Sequence, residues 1–458
     1  MNSAFLNAIK KILPDTQILN DESERISYGY DNSRRHALPD VVVLPLNETH
    51  IQDIVKACNQ FNIPLTARGR GTGTTGATVP IHGGVVMSLE QMNTIIEVDA
   101  ANRLMIVEPG VTNQAVQDAA AKEGFFWAPD PTSAAFCSIG GNLAYNSAGP
   151  RAVKYGSCRE NTLALHAVTG AGELIRCGTH TTKGVVGYDL TRLIIGSEGT
   201  LAIISRATLK LLPKAQDKHT LKFTYNSMDA AARAVSSIMA QPDTPCALEF
   251  MDSRALQLIR ENGADINTDA AALLMVEVEG RGEALQQANA AVTHAAQVEG
   301  HLQTEQATSA AEAAQIWQAR KQLSPSLRKI APKKINEDVV VPVSRIPELI
   351  NGLNKLSDKF NIPIVNFGHA GNGNIHVNLL INPDDKNQMD SAHICLDQVF
   401  DLVLILDGTL SGEHGVGLEK RDYINKELGA VELQLMQGIK KQFDPNNILN
   451  VGKTLPTI

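Results

Sequence analysis

The stretch IPLTARGRGTGTTGATVPIHGG, residues 63–84, restricts the fold more than any other part of the chain. A strand-like run, IPLTA, leads into Gly71, Gly73 and Gly76 at G-x-G-x-x-G spacing. In a doubly wound dinucleotide fold that spacing opens a helix whose N-terminus meets a pyrophosphate. Here Ala77-Thr78-Val79-Pro80 and then Gly83-Gly84 follow, and no long helix can start among them. The doubly wound reading therefore fails. What survives is a run of backbone N–H groups with little Cβ crowding, flanked by hydroxyls at Thr72, Thr74 and Thr75. Such a nest binds phosphate without a helix; a purely structural glycine turn is the other reading.

The surrounding pattern is α+β. DVVVLPL reads as a buried strand, and ETHIQDIVKACNQFN places Ile51, Ile54, Val55 and Cys58 on one helical face. With IPLTA this makes a β-α-β unit over residues 41–67. Short strands follow in GGVVMSL, NTIIEVD and RLMIVEPG, then a helix in NQAVQDAAAKEG. From about Lys218 the texture changes: KHTLKFTYN, a helix over 227–240, CALEFMD, AALLMVEVEG and a helix over 282–300 suggest a ferredoxin-like sheet with helices on one side. A helix over 310–329, the strand EDVVVPV and a helix over 346–360 come next. At 458 residues, two or three domains are expected.

Net charge of −8, with no Lys/Arg-rich stripe, argues against nucleic acid. The start, MNSAFLNAIKKILPD, reads as a surface helix, not a signal peptide. No apolar run approaches the roughly 18 residues of a membrane span. The 6 cysteines are scattered, with no C-x-x-C pair, which fits a reducing compartment. A cytoplasmic protein is expected, with room for peripheral attachment to the inner face of a membrane through a partner.

Two further stretches carry polar chemistry. PDPTSAAFCSIGGNLAYNSAGPRAVKYGS, residues 129–157, packs small residues, amides and hydroxyls into one irregular run that can lie flat against a planar ligand. GYDLTRLIIGSEGTLAIISRATLKLLP places Gly196, Glu198 and Gly199 between apolar strands. Later, NFGHAGNGNIHVNLL spaces His369 and His376 around a glycine loop, and Asn378 shares a strand face with His376 by period 2. Alone, that pair reads as a tight turn more readily than as a metal site. GTLSGEHGVGLEKR then adds Glu413 and His414. Two histidines and a carboxylate with open positions make a plausible catalytic divalent site.

Together these stretches resemble the vanillyl-alcohol oxidase/p-cresol methylhydroxylase flavoprotein family, and within it the D-2-hydroxy-acid dehydrogenase branch. The resemblance runs from about Ser27 to Pro456. It implies a two-subdomain FAD-binding domain (1–216), a ferredoxin-like antiparallel cap domain (217–410), and a C-terminal segment (411–458) returning to the flavin. It implies non-covalent FAD, with Arg68, Gly69, Gly71, Thr72, Gly73, Thr74 and Gly76 at the pyrophosphate. Pro131, Thr132, Ser138, Gly141, Asn142 and Ser147 would line the flavin and ribityl chain. Glu198, Gly199 and Ile204 would approach the adenosine half, and Asn450 in NILNVGK the flavin. His369, His376 and Glu413 would hold Zn²⁺ or Mn²⁺, with His414 as general base. Arg320 in AQIWQARKQLSPSLRK would take the substrate carboxylate, with Ser324 and Asn378 beside it.

Where hydroxyglutarate enzymes of the branch carry a lysine, this chain has Asn336. That departure disfavours a dicarboxylate, so D-lactate or glycolate is expected. With neither an NAD fingerprint nor Fe–S cysteine spacing, electrons must leave to an external acceptor: a quinone, a cytochrome, an electron-transfer flavoprotein or oxygen. A homodimer is compatible with the sequence. The competing readings are a glycolate oxidase flavin subunit needing partner subunits, a metal-assisted hydrolase, and a non-catalytic flavin electron relay.

Overall fold

The computed structural model describes residues 3–456 except residue 264; the side chains of residues 319, 321, 322, 324, 325 and 328 are also outside the description. The chain divides into two compact units. One comprises Met1–Ala148, Gly156–Lys214 and Glu413–Ile458; the other comprises Gly149–Tyr155 and Ala215–Gly412.

The first unit holds a four-stranded sheet, a five-stranded sheet and a two-stranded ribbon of Phe125–Phe126 and Leu212–Pro213. In the four-stranded one the order is Ile18–Leu19, Val41–Val43, Val85–Ser88 and Leu65–Arg68. The last three strands are parallel. The Val41–Val43 and Leu65–Arg68 strands are joined by the expected helix, Glu48–Phe61, but Val85–Ser88 lies between them. The Asn47 side chain accepts from His50 N at the helix start, and Asn62 ends it in the left-handed conformation. Its apolar face is the expected one, and Ile51, Ile54, Val55 and Cys58 are buried. Phe5 and Ile9 of the Ser3–Ile12 helix join the same core, so that helix is docked by its apolar face.

The second sheet is antiparallel, in the order Ile95–Asp99, Leu104–Val107, Ala202–Lys210, Thr162–Thr169 and Leu174–Gly178. The C-terminal segment closes the unit. Leu65 N donates to Ile448 O at 2.8 Å, Asn450 N donates to Leu65 O at 2.9 Å, and Ile448 and Leu449 are buried in the core of the four-stranded sheet.

The second unit is built on a seven-stranded antiparallel sheet, longer than the ferredoxin-like core expected. Its order is His301–Gln306, Asp217–Tyr225, Ala272–Gly280, Ala247–Met251, Ile364–His369, Asn374–Ile381 and Lys333–Val340. Ala247–Met251 and Asn374–Ile381 are buried at every position, as strands covered on both faces must be. One covering layer comes from helices Ser253–Glu261 and Ala310–Ser326, which pack Leu256, Ile259 and Leu323 against Met251, Met275, Val365, Phe367 and Leu380. Helices not read from the sequence include Ser253–Glu261 and the 20-residue Lys386–Ile405 in this unit.

Candidate active site

Strand register decides which side chains meet in the second unit. Phe367 pairs with His376, Val365 with Asn378, Asp338 with His376 and Asn336 with Asn378. Side chains alternate across a sheet, so Phe367, His369, His376, Asn378, Asn336 and Asp338 share one face. Phe250 pairs with Gly368, which sets Glu249 beside His369 on that face. The His369 and His376 rings meet edge to face, with centroids 5.2 Å apart, and both are buried.

Glu249 is 1% exposed and shared between two partners. Its Oε1 lies 2.5 Å from Nδ1 of His369, and its Oε2 accepts from Nε of Arg320 at 2.8 Å. Burial alone would raise its pKa, but the charges and hydrogen bonds of His369 and Arg320 hold it below the usual carboxylate range. The Arg320 guanidinium also lies 4.6 Å over the Phe367 ring, whose other neighbour is His376. Among the described residues, the η nitrogens of Arg320 make no hydrogen bond. Asn378 is fully buried; its Nδ2 donates to Val365 O and His376 O, and its Oδ1 has no partner among the described residues.

Asp338 reaches the chain beyond Leu410. Its Oδ2 accepts from Gly412 N at 2.9 Å, and its Oδ1 from Ser411 Oγ at 3.3 Å. Glu413 is the next residue. It opens the last segment of the first unit, while His369 and His376 belong to the second. Two imidazoles meeting edge to face on one strand pair, and a carboxylate, are ligand types that a divalent ion takes. His414 follows, half-buried. Just past it, Glu198 accepts from Val416 N at 2.5 Å, Gly417 N at 2.7 Å and Thr454 Oγ1 at 3.1 Å. The EHG turn is therefore anchored on both sides of His414.

In the first unit, the loop after Leu65–Arg68 is a nest in hydrogen-bonding terms. Among the described residues, no backbone N–H from 70 to 76 donates to a protein acceptor. Gly71 and Gly76 have φ of +66° and +76°. This array of unclaimed donors fits a pyrophosphate. A Cβ at Gly69 would lie 2.4 Å from Ser138 Oγ, so the loop and the helix Ile139–Tyr145, capped by Ser138, are in contact. Asn450 donates through Nδ2 to Glu198 O, while its buried Oδ1 has no partner among the described residues. Gly199 lies against that amide.

Other expected FAD contacts are placed differently. The Arg68 guanidinium is turned inward onto Tyr30 O, Ser27 O and Thr78 Oγ1, and burial lowers its pKa. Asn142 accepts through Oδ1 from Asn113 Nδ2 at 3.1 Å, and Ser147 N donates to Asn142 O. Ile204 is packed in the core of the five-stranded sheet. The Glu198 carboxylate serves the turn after His414. Thr72 and Gly73 accept from Asn32 through their carbonyls; Thr74 and Gly141 are half-buried, and Gly141 borders Gly69. Pro131 and Thr132 sit in the turn closed by Ala134 N donating to Pro131 O. The Ser324 side chain lies outside the described residues.

Sequence reasoning missed Glu249, Asp338 and the anchoring role of Glu198. The signal for the first was available: one acid in the middle of the otherwise apolar strand CALEFM. A buried acid without a partner is costly, so its presence there asks for a cation.

Comparison with known proteins shows the family. Residues 39–178 match the FAD binding domain, and residues 214–454 match the C-terminal domain of FAD linked oxidases. The chain belongs to the FAD-linked oxidase family. It is an oxidoreductase with an FAD-binding domain. It is 37% identical to the glycolate oxidase subunit GlcD of Bacillus subtilis, covering 94% of this chain and 92% of that one. It is 36% identical to the D-lactate dehydrogenase of Archaeoglobus fulgidus, covering 91% of each. Among solved structures it resembles p-cresol methylhydroxylase, with a TM-score of 0.82 at 17% identity over 100% of this chain and 98% of that one. That likeness supports the two-part α+β fold. No described helix is long and apolar enough to cross a membrane.

Proposed function

We propose that this oxidoreductase converts a small D-2-hydroxy acid, D-lactate by preference, to the 2-oxo acid. The observation that carries the reading is the meeting of His369 and His376 on a sheet face that also carries Asn378, with Arg320 held over it by Glu249 and Phe367. His369, His376 and Glu413 would hold a divalent ion, Zn²⁺ or Mn²⁺. When bound, that ion supplies Lewis acidity that lowers the pKa of the substrate hydroxyl. FAD supplies the hydride acceptor.

The chain's own residues do the rest. Arg320, held by Glu249 through Nε alone, offers its η nitrogens to the substrate carboxylate. His414, as a neutral imidazole, takes the hydroxyl proton. Asn378 Oδ1 is a fixed acceptor for a substrate or water hydrogen. Asn336 faces Asn378 across the strand pair and adds no second cation, which favours a monocarboxylate. Glycolate is the second substrate reading, supported by the Bacillus subtilis relative's name. Electrons then pass to an external acceptor such as a quinone, a cytochrome or an electron-transfer flavoprotein.

Anaerobic mixing of the flavin-loaded protein with D-lactate, L-lactate, glycolate and D-2-hydroxyglutarate tests this. D-lactate should bleach the flavin absorption and L-lactate should leave it. A flavin that no D-acid bleaches would overturn the reading. His414→Ala should keep its flavin spectrum and lose bleaching, and EDTA should suppress turnover until Zn²⁺ or Mn²⁺ is restored.

A further inference from the structure

We infer that Glu249 is the positioning residue that couples the metal ligand His369 to the substrate-binding Arg320. The inference rests on the metal and substrate roles proposed above for those two residues and adds the part that sets both.

One carboxylate, buried in the middle of a strand, spends one oxygen on each of two groups with different tasks. Its Oε1 lies against Nδ1 of His369 and its Oε2 against Nε of Arg320. A carboxylate only accepts, so Nδ1 of His369 must carry the proton and Nε2 must present the lone pair. Metal-bound histidines are usually fixed in this way by a hydrogen bond to the second ring nitrogen. The other oxygen takes the Nε edge of the guanidinium and turns its η nitrogens outward. Phe367 closes the arrangement, lying under the guanidinium and beside the His376 ring. Neither helix nor loop carries Glu249. It is fixed in the ladder between Ala272–Gly280 and Ile364–His369, so its carboxylate cannot follow one partner without leaving the other.

Glutamine at this position is the discriminating change. It has the same length, but one arm is a donor. Facing His369, the amide N–H₂ would require Nδ1 to accept and would put the proton on Nε2. Facing Arg320, it would oppose the Nε donor. Either arrangement damages one of the two functions, which a residue needed for packing alone would not do.

The test uses the full-length, FAD-loaded protein and reads Zn²⁺ affinity by competition with a chromophoric chelator, alongside KM and kcat for the bleaching acid. Glu249→Gln should weaken Zn²⁺ binding by roughly 10- to 100-fold, the usual cost of losing such a partner, while the flavin spectrum and thermal midpoint stay near wild type. Arg320→Met should raise KM and leave Zn²⁺ affinity unchanged. The double variant should lose less substrate affinity than the two single losses combined. Wild-type Zn²⁺ affinity in Glu249→Gln would overturn the inference and leave the proposed reaction standing. A wild-type protein that binds no divalent ion, or binds it unchanged in His369→Ala, would overturn the proposed metal role and this inference with it. Should Glu249→Gln fail to fold, ¹⁵N-histidine NMR of the wild type decides: a proton on Nδ1 of His369 supports the inference, and a proton on Nε2 overturns it.

Discussion

At the scale of single residues, the second unit stores titratable groups away from water and balances them by different means. Glu249 is held ionised by Arg320 and by its hydrogen bond with His369. Asp252, three residues on, is met chiefly by hydrogen bonds, with the Arg254 charge a lesser aid. Its carboxylate accepts from Ala255 N at 2.8 Å, capping Ser253–Glu261, and from Asn366 N and Nδ2. Burial raises its pKa to about 6, with those hydrogen bonds opposing. Because the folded value lies above the unfolded value of 3.8, the native state holds a proton that the unfolded chain has released. The favourable contribution is complete below pH 3.8 and is lost as pH rises through about 6. The difference in unfolding free energy between wild type and Asp252→Asn, followed by denaturant titration, should therefore change across that window and flatten above it. A difference constant from pH 4 to 7 would exclude a native pKa raised this far.

The site residues also show what could be read from sequence. His369, His376 and Glu413 were legible because histidines flanking a glycine loop, followed by an acid-histidine turn, form a local pattern. Glu249 was not, because its partners come from a strand and a helix far along the chain. The inward turn of the Arg68 side chain was not legible for a related reason: the loop that follows it is a nest, but its own side chain answers to carbonyls of residues 27 and 30, which no local pattern reveals.

At the scale of elements, the loop of residues 70–76 and the hairpin formed by Ile364–His369 and Asn374–Ile381 illustrate two ways of presenting a site. The loop works through backbone, so its tolerance is set by conformation. Gly71 has φ of +66° and its missing Cβ would fall 2.2 Å from the Arg68 guanidinium. Gly71→Ala pays about 1 kcal/mol or more for the left-handed geometry and must displace Arg68. We expect the variant to purify with much less flavin, read as the ratio of flavin to protein absorbance, while its far-UV circular dichroism stays unchanged. Full flavin content would show that this loop is not the cradle. The hairpin works through register. A shift of one residue would send both histidines to the opposite face. Helix and strand periods were mostly legible here, including Glu48–Phe61 and Ile346–Phe360. Strand order was not: nothing in residues 85–88 tells that they insert between two strands joined by a single helix.

At the scale of the whole molecule, neither unit is a continuous stretch of chain. The first is completed by Ile448 and Leu449, which enter its core, and by Lys440, whose Nζ donates to Thr200 O and Leu449 O at 2.8 and 2.9 Å. Lys453 adds a buried amine near Asp31 and Glu198; burial lowers its pKa to about 7 against the pull of those two acids. Removing residues 413–458 should therefore do more than delete the EHG turn. It uncovers the edge of Leu65–Arg68 and opens the core, and we expect a protein that binds no FAD and unfolds without a cooperative thermal transition. Retention of a sharp transition with bound flavin would show that the N-terminal segments close on their own. The α+β class was legible from glycine spacing and strand texture, whereas this closure depends on pairings between distant segments.

That closure has a consequence for how the protein is made. When the strand Leu65–Arg68 leaves the ribosome, the segment that pairs with it has not been synthesised. At roughly 5–20 residues per second, tens of seconds pass before residues 448–450 emerge. Throughout that time the nascent chain carries an unsealed hydrophobic face, so the cofactor domain reaches its finished form only after translation has passed through the whole second unit.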